Sequence, residues 1–319
     1  MPKLKKLFVL LIGTLLLVTG CGNYFEGNQI QNVGMLMDGT IENQAWAEKG
    51  YNGLVQIGED YDVDIFYKEE IITEQEISNA IEAFVQDGVN LIFGHSSIYG
   101  KYFVDLAELY PDVHFVYFNG GYFDENVTSL NFSAHAMGFF GGMVAGKMTS
   151  TNHVGIVSAY EWQPEIEGFY EGVKYQNSEA VVHMNFINDW NDTKTAGEMY
   201  EKLRDYDVDV FYPTGDSFTS DIIHRAKEDD LYAIGYVSDQ SDTGDRTVLT
   251  STIQHVDKLY EMTAKKFNKG QLEGTIMTFD FQEEAISLGE FSPDVPKYFQ
   301  KLVNDAVDRY IETGLLPNE

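Results

Sequence analysis

Asn32-Val33-Gly34-Met35-Leu36-Met37-Asp38-Gly39 is the stretch whose reading decides the fold. It is apolar from Val33 to Met37 and stops at an Asp-Gly pair, the pattern of a buried strand that empties into a loop. Behind it, Trp46–Tyr61 carries a helical pattern and Val63–Tyr67 reads as a strand. Thr73-Glu74-Gln75-Glu76 fits a capping box and opens a helix through Gln86. Val89–Phe93 is then a strand, Tyr99–Leu109 a helix, and His114–Phe118 a buried strand ahead of Asn119-Gly120-Gly121. Such strand–helix repetition predicts a parallel sheet with helices on both faces.

The pattern restarts after the strand Val127–Phe132 and a small-residue helix over Ala136–Met148. Strands are expected at His153–Val157, Ala180–Asn185, Val208–Tyr212 and Tyr232–Val237, with helices at Glu165–Tyr175, Thr193–Leu203 and Asp221–Lys227. Val33-Gly34 recurs as Val154-Gly155, and the strand beginning at Val89 recurs at Val208. Two doubly wound lobes of one plan follow. Tyr61–Tyr67 against Tyr206–Tyr212 is a closer echo but out of phase, so it reads as two similar helix-to-strand joints.

The tail starts no third lobe. Thr247–Thr252 and Thr275–Phe281 read as strands around a helix at Val256–Phe267; Ile286–Leu288 pairs nearby, and Val295–Thr313 is a final helix. The expected organisation is α/β, two Rossmann-like lobes joined by a multi-stranded hinge, with a ligand cleft at the carboxyl ends of the strands. Residues 32–132 with about 250–276 form the first lobe, and 133–249 with about 277–319 the second.

Ahead of the lobes, Lys3, Lys5 and Lys6 precede an apolar run from Leu7 to Val18, closed by Val18-Thr19-Gly20-Cys21. The run is short for a bilayer of about 30 Å and reads as a signal-peptide core. The tetrapeptide looks like a bacterial lipobox, whose cysteine takes a diacylglycerol and becomes the new N-terminus; an uncleaved anchor with an incidental cysteine is the alternative. Cys21 is the only cysteine, so neither disulfides nor thiol chemistry are expected. Residues 22–31 read as a flexible tether. The expected location is the outer face of the cell membrane, held by lipid, in a Gram-positive bacterium.

The full chain of 319 residues carries a formal charge of −30; without residues 1–21 it has 18 basic against 51 acidic residues. A field of that sign repels phosphate backbones, so nucleic acid is not an expected partner. No further apolar stretch approaches about 18 residues, the length of a membrane-spanning helix.

The doubly wound plan puts functional residues just after the strands. These include Asp38, His95, Asn119, Asp216 and Asp239, with Trp46 and Trp190 close by in sequence. Carboxylates and amides suit hydroxyls and amines, and an indole face stacks on a flat ring. Core filling is the alternative for each Trp, and a hydrogen-bonded loop residue is the favoured reading of His95. No H-E-x-x-H, G-x-S-x-G, Walker or dinucleotide motif is present, so neither an enzyme, a metal nor a cofactor is expected. Gly138, Gly141, Gly142 and Gly146 lie at helical spacing and permit close helix packing. Asp239, Asp242 and Asp245 lack EF-hand spacing and read as an acidic surface loop.

Ala233–Gln240 followed by Val248–Thr252, with Tyr110–Val113, Phe139–Gly142, Val154-Gly155, Trp190 with Asp192, and Val256-Asp257, resembles the basic-membrane-protein lipoproteins, nucleoside-type solute receptors of ABC transporters. Trp46 with Gly50-Tyr51, Trp162–Glu165 and Phe267–Gly270 resemble a regulatory subgroup, lipoproteins that promote competence gene expression. The resemblance implies a base-stacking aromatic at Trp46, polar contacts from Asp38 and Asn119, and an ABC permease or another envelope protein as partner. It also exposes departures. Ala47 stands where the family usually has Asn, Val237 where it has a ribose-binding Asp, and Gln254 where it has Lys. A buried ligand diol without its carboxylate loses a few kcal/mol, so ordinary nucleoside affinity is expected to be weakened or lost.

Overall fold

The computed structural model describes residues 29–42, 44–244 and 246–319. The expected signal peptide 1–21 with Cys21, residues 22–28 of the tether, and Asp245 lie outside the described residues.

The first half runs β1 (Val33–Leu36), α1 (Ala45–Tyr61), β2 (Ile65–Lys68), α2 (Glu74–Gln86), β3 (Leu91–Gly94), α3 (Tyr99–Ala107), β4 (His114–Phe118) and β5 (Val127–Phe132). The second runs α4 (Ala134–Met148), β6 (His153–Ser158), α5 (Pro164–Gln176), β7 (Val181–Phe186), α6 (Thr193–Arg204), β8 (Val210–Thr214), α7 (Ser217–Glu228), β9 (Tyr232–Val237), a short α8 (Ser241–Gly244) and β10 (Val248–Gln254). The tail adds α9 (Val256–Asn268), β11 (Ile276–Phe279), β12 (Ile286–Leu288) and α10 (Lys297–Thr313).

Two six-stranded sheets result. The first has the order β2-β1-β3-β4-β5-β11 with every pair parallel. The second has β7-β6-β8-β9-β10-β12, parallel except for β12, which is antiparallel to β10. The recurring Val-Gly pairs fall on β1 and β6, which occupy the same place in the two orders. The out-of-phase echo is a pair of matching joints. Asp62 and Asp207 take left-handed φ of 53° and 59°, and Val63 and Val208 each donate to a carbonyl five residues back.

β10 lies wholly in the second sheet and β11 wholly in the first, so the expected lobe limits near 250 and 276 move to the ends of these strands. Every residue of β10 is buried. A strand buried on both faces reads as a plain apolar run, which says nothing about which sheet it joins. Three segments therefore cross between the sheets: Ser133, His255 and the stretch 280–285. They brace one another, since Ser133 N–H donates to the Phe279 carbonyl and His255 N–H to that of Ala285.

The expected capping box is present, with Thr73 and Glu76 bonding each other's backbone N–H. α4 is buried on almost every side, and Gly138, Gly142 and Gly146 let its backbone approach that of α5, as Gly168 and Gly172 do from the other side. A Cβ at Gly138 would stand 2.0 Å from the Glu165 carbonyl oxygen, and one at Gly142 2.2 Å from that of Phe169. This crossing fixes the start of α5, and with it Glu165. At the far end, Gln31 N–H donates to Asn90 Oδ1 and Ile30 N–H to Asn268 Oδ1, tying the first described residues to the amino-terminal edge of the first sheet.

Candidate functional site

β1 ends at Leu36, and Asp38 leaves the sheet at its carboxyl edge. A short loop returns the chain to α1, so Trp46 stands directly behind that edge. β3 brings His95 beside it. The two residues hold each other twice. Trp46 Nε1–H donates to the His95 carbonyl at 3.0 Å, and His95 Nε2 lies 2.7 Å from the Trp46 carbonyl. Their rings stack at 4.9 Å. A carbonyl only accepts, so Nε2 carries the proton and Nδ1 accepts from the Tyr260 hydroxyl at 2.9 Å. Burial pushes the imidazole down to about 4, against the pull of the Trp46 carbonyl, so it is neutral. His95 thus faces the cleft with both nitrogens engaged. It braces Trp46 and α9, in keeping with the reading of a hydrogen-bonded loop histidine.

Asp38, Trp46, His95, Asn119, Trp190 and Asp216 line one cavity of about 480 Å³ between the lobes. Asp239 does not. Its carboxylate accepts from Ser241 N–H, Ser251 Oγ–H and Glu290 N–H, which ties the end of β9 to the loop after β12. The chain turns sharply at Val237, whose φ is 66°, and that turn carries Asp239 away from the cleft. Val237 itself lines the cavity.

The sequence reading passed over part of the wall. Trp162, Gln163 and Glu165 project from the loop and first turn behind β6, as Trp46 does behind β1. The signal was there in Pro164, which marks the first turn of a helix directly after a strand. Glu165 is buried and accepts from the Tyr236 hydroxyl at 2.7 Å and from Gln163 Nε2–H at 2.9 Å. Ser96, Asn131 and Gln254 are among the further polar lining residues, and among the described residues no Lys or Arg joins them.

Three carboxyl groups therefore share one cavity, and burial raises the pKa of each. Asp216 rises to about 7, mainly through burial and partly through the Asp38 charge, with hydrogen bonds from Trp46 N–H and Ala45 N–H pulling the other way. Asp38 is exposed at the cavity wall, yet the enclosing walls still raise it, opposed by Ser96. Asp216 is also the clasp between the lobes: its Oδ1 accepts from Trp46 N–H at 3.3 Å, beside a second crossing bond from Gln44 Nε2–H to Asn191 Oδ1.

Two doubly wound lobes, three crossing segments and a polar cavity at the carboxyl ends of both sheets define a bilobal solute receptor of the type I periplasmic-binding-protein fold. The chain belongs to the Bmp family, ABC transporter substrate-binding proteins of the PnrA-like kind, whose pattern matches residues 30–319. It is 46% identical over 309 residues to the transcriptional activator protein med of Bacillus subtilis strain 168, covering 97% of this chain and 98% of that one. The crystal structure of a transcriptional activator of the comK gene from Bacillus halodurans superposes with a TM-score of 0.83 at 45% identity, over 89% of this chain and 99% of the other. An ABC transporter solute-binding protein from Conexibacter woesei shares the fold, with a TM-score of 0.73 at 19% identity over 90% and 99% of the two chains.

Proposed function

We propose that this chain is a lipid-anchored extracytoplasmic receptor that binds a nucleoside-like or other small polar solute between its lobes and acts indirectly as a positive regulator of competence gene expression. The cavity carries this reading. Both sheets contribute to its walls, and Trp46 and Asp216 join the lobes across it. An enclosed, mixed polar and aromatic space at this place in the fold is where such proteins hold a solute. The lipidation of Cys21 and the outward location rest on residues 1–21 and on the family. The regulatory role rests on the names of the two relatives near 45% identity. A body carrying 18 basic and 51 acidic residues outside the membrane does not sit on a promoter, so its influence on transcription is relayed through an envelope partner.

Capture of a nucleoside for an ABC importer is the second reading, favoured by Asp38 and Trp46 standing together at the cavity wall. The departures at Ala47, Val237 and Gln254 count against it. A thermal-shift screen of the full-length protein in mild detergent against nucleosides, bases, sugars, amino acids and amines tests the receptor reading. One class raising Tm supports it, and silence from every class at millimolar concentration refutes it. Fatty-acid labelling that is lost in Cys21→Ala tests the anchor.

A further inference from the structure

The cavity is one-sided in charge. Asp38, Glu165 and Asp216 open onto it from both lobes, and none of its described lining residues is a lysine or arginine. The one imidazole present is neutral, with its N–H on the Trp46 carbonyl and its other nitrogen on Tyr260. Buried carboxyls with no positive charge beside them pick up protons, as the raised Asp216 shows despite its backbone hydrogen bonds, and a cation placed among them opposes this.

The remaining walls are aromatic. Trp46 faces the space from the first lobe, Trp162 and Trp190 from the second, the last two meeting edge to face at 5.9 Å between ring centres. Indole faces attract alkylammonium groups as well as flat rings, and do so best when water is excluded. Gln254 adds a neutral polar group to the same wall. Its side chain lines the cavity and the residue is only 4% exposed, yet among the described residues its amide has no hydrogen-bond partner. Its amide is not among the buried unpaired groups, so it opens onto the cavity and can meet a solute there.

We propose that the cleft takes a small organic cation, an ammonium-bearing solute whose positive end lies between Asp38 and Asp216 against the tryptophan faces and whose polar end meets Gln254. This rests on the receptor reading above and narrows it to a ligand class. Phosphorylated solutes are excluded, because an anion would enter a space holding three carboxyls and no compensating charge. Binding displaces the proton from Asp216, so affinity rises with pH through about 7 and levels off above it. The groups that face Asp216 in this range are Asp38 and the clasping N–H groups of Trp46 and Ala45, and His95 stays neutral throughout.

Calorimetry on the full-length protein in mild detergent, at low ionic strength and pH 8, compares choline with its uncharged isostere 3,3-dimethylbutan-1-ol, and spermidine with adenosine and glucose. At least one ammonium probe is expected to bind, and choline to exceed its neutral isostere by tenfold or more. Asp216→Asn should weaken that probe at least tenfold at pH 8 and erase the pH dependence. Trp46→Phe should weaken it less than Trp46→Leu. Adenosine or glucose binding with the ammonium probes silent overturns the cation assignment alone. Silence from all five probes removes this inference, and the broader thermal-shift screen then decides the receptor reading. An ammonium probe that binds Asp216→Asn as well as the native chain overturns the proposed placement.

Discussion

Asp216 sets binding against folding. Its folded-state pKa of about 7 exceeds its ordinary 3.8, so the folded chain holds that proton more tightly than the unfolded one. The stability this confers is complete below the ordinary value and is lost as pH rises through about 7. A shift of that size corresponds to about 4 kcal/mol at most. His95 has the opposite sign: its depressed pKa of about 4 means that stability is lost as pH falls below the ordinary 6.5. Asp216→Asn removes the first slope and leaves the second. The variant is therefore expected to melt higher than the native chain at pH 8, with the gap closing by pH 4; equal differences at both ends would refute this. Val237 offers a second test. A β-branched residue at φ 66° is strained by about 1–3 kcal/mol, whereas asparagine adopts that backbone readily. Val237→Asn should raise Tm and Val237→Ile should not.

At the scale of elements, the crossing of α4 and α5 is the least forgiving contact. Gly142→Ala would put a methyl 2.2 Å from the Phe169 carbonyl oxygen, and nothing flexible stands in the way to yield. Overpacking of this kind destabilises by about 3 kcal/mol or more. Gly121→Ala, with open space around its Cβ, should stay within about 0.5 kcal/mol of the native chain by urea denaturation. This crossing was legible in advance, because four glycines at helical spacing have few other uses. The Thr73 cap and the strand–helix rhythm were legible for the same reason: a local pattern has a local cause. The lobe to which β10 belongs was not, since a strand buried along its whole length shows no preferred face. α7 begins four residues before its expected start at Asp221, because Phe218 and Thr219 are buried in its first turn. The site was read in outline. Strand ends supplied four of its residues and the tryptophans near them two more; the turn at Val237 that removes Asp239 depends on tertiary geometry, whereas Trp162 sits beside a Pro164 signal that was passed over. His95 was placed by its strand, and its bracing role follows only from the positions of Trp46 and Tyr260.

For the whole molecule, the two lobes meet through a small clasp at the cleft, Asp216 with the N–H groups of Trp46 and Ala45 and Gln44 with Asn191, and three crossing segments behind it. Few bonds across the mouth and braced segments at the back are the arrangement of a hinge. Small-angle scattering is expected to show a smaller radius of gyration on adding a bound solute, and Gln44→Ala with Asp216→Ala should enlarge the ligand-free particle. The acidic body also makes ligand capture sensitive to salt: affinity for a cation should fall as ionic strength rises from about 0.01 to 0.5 M, over which screening lengths shrink severalfold.

The first described residues are pinned to the first lobe, at the edge of its sheet opposite the cleft, through Asn90 and Asn268. On the proposed anchoring, a leash leaving from there would grip one jaw and leave the other loose. For a chain moored to a surface by its amino terminus, every opening and shutting then swings the second lobe while the first stays put. What a neighbour in the envelope would sense is the travel of that outer jaw, with its exposed Tyr298, Leu302 and Leu315, and the solute itself could stay out of reach.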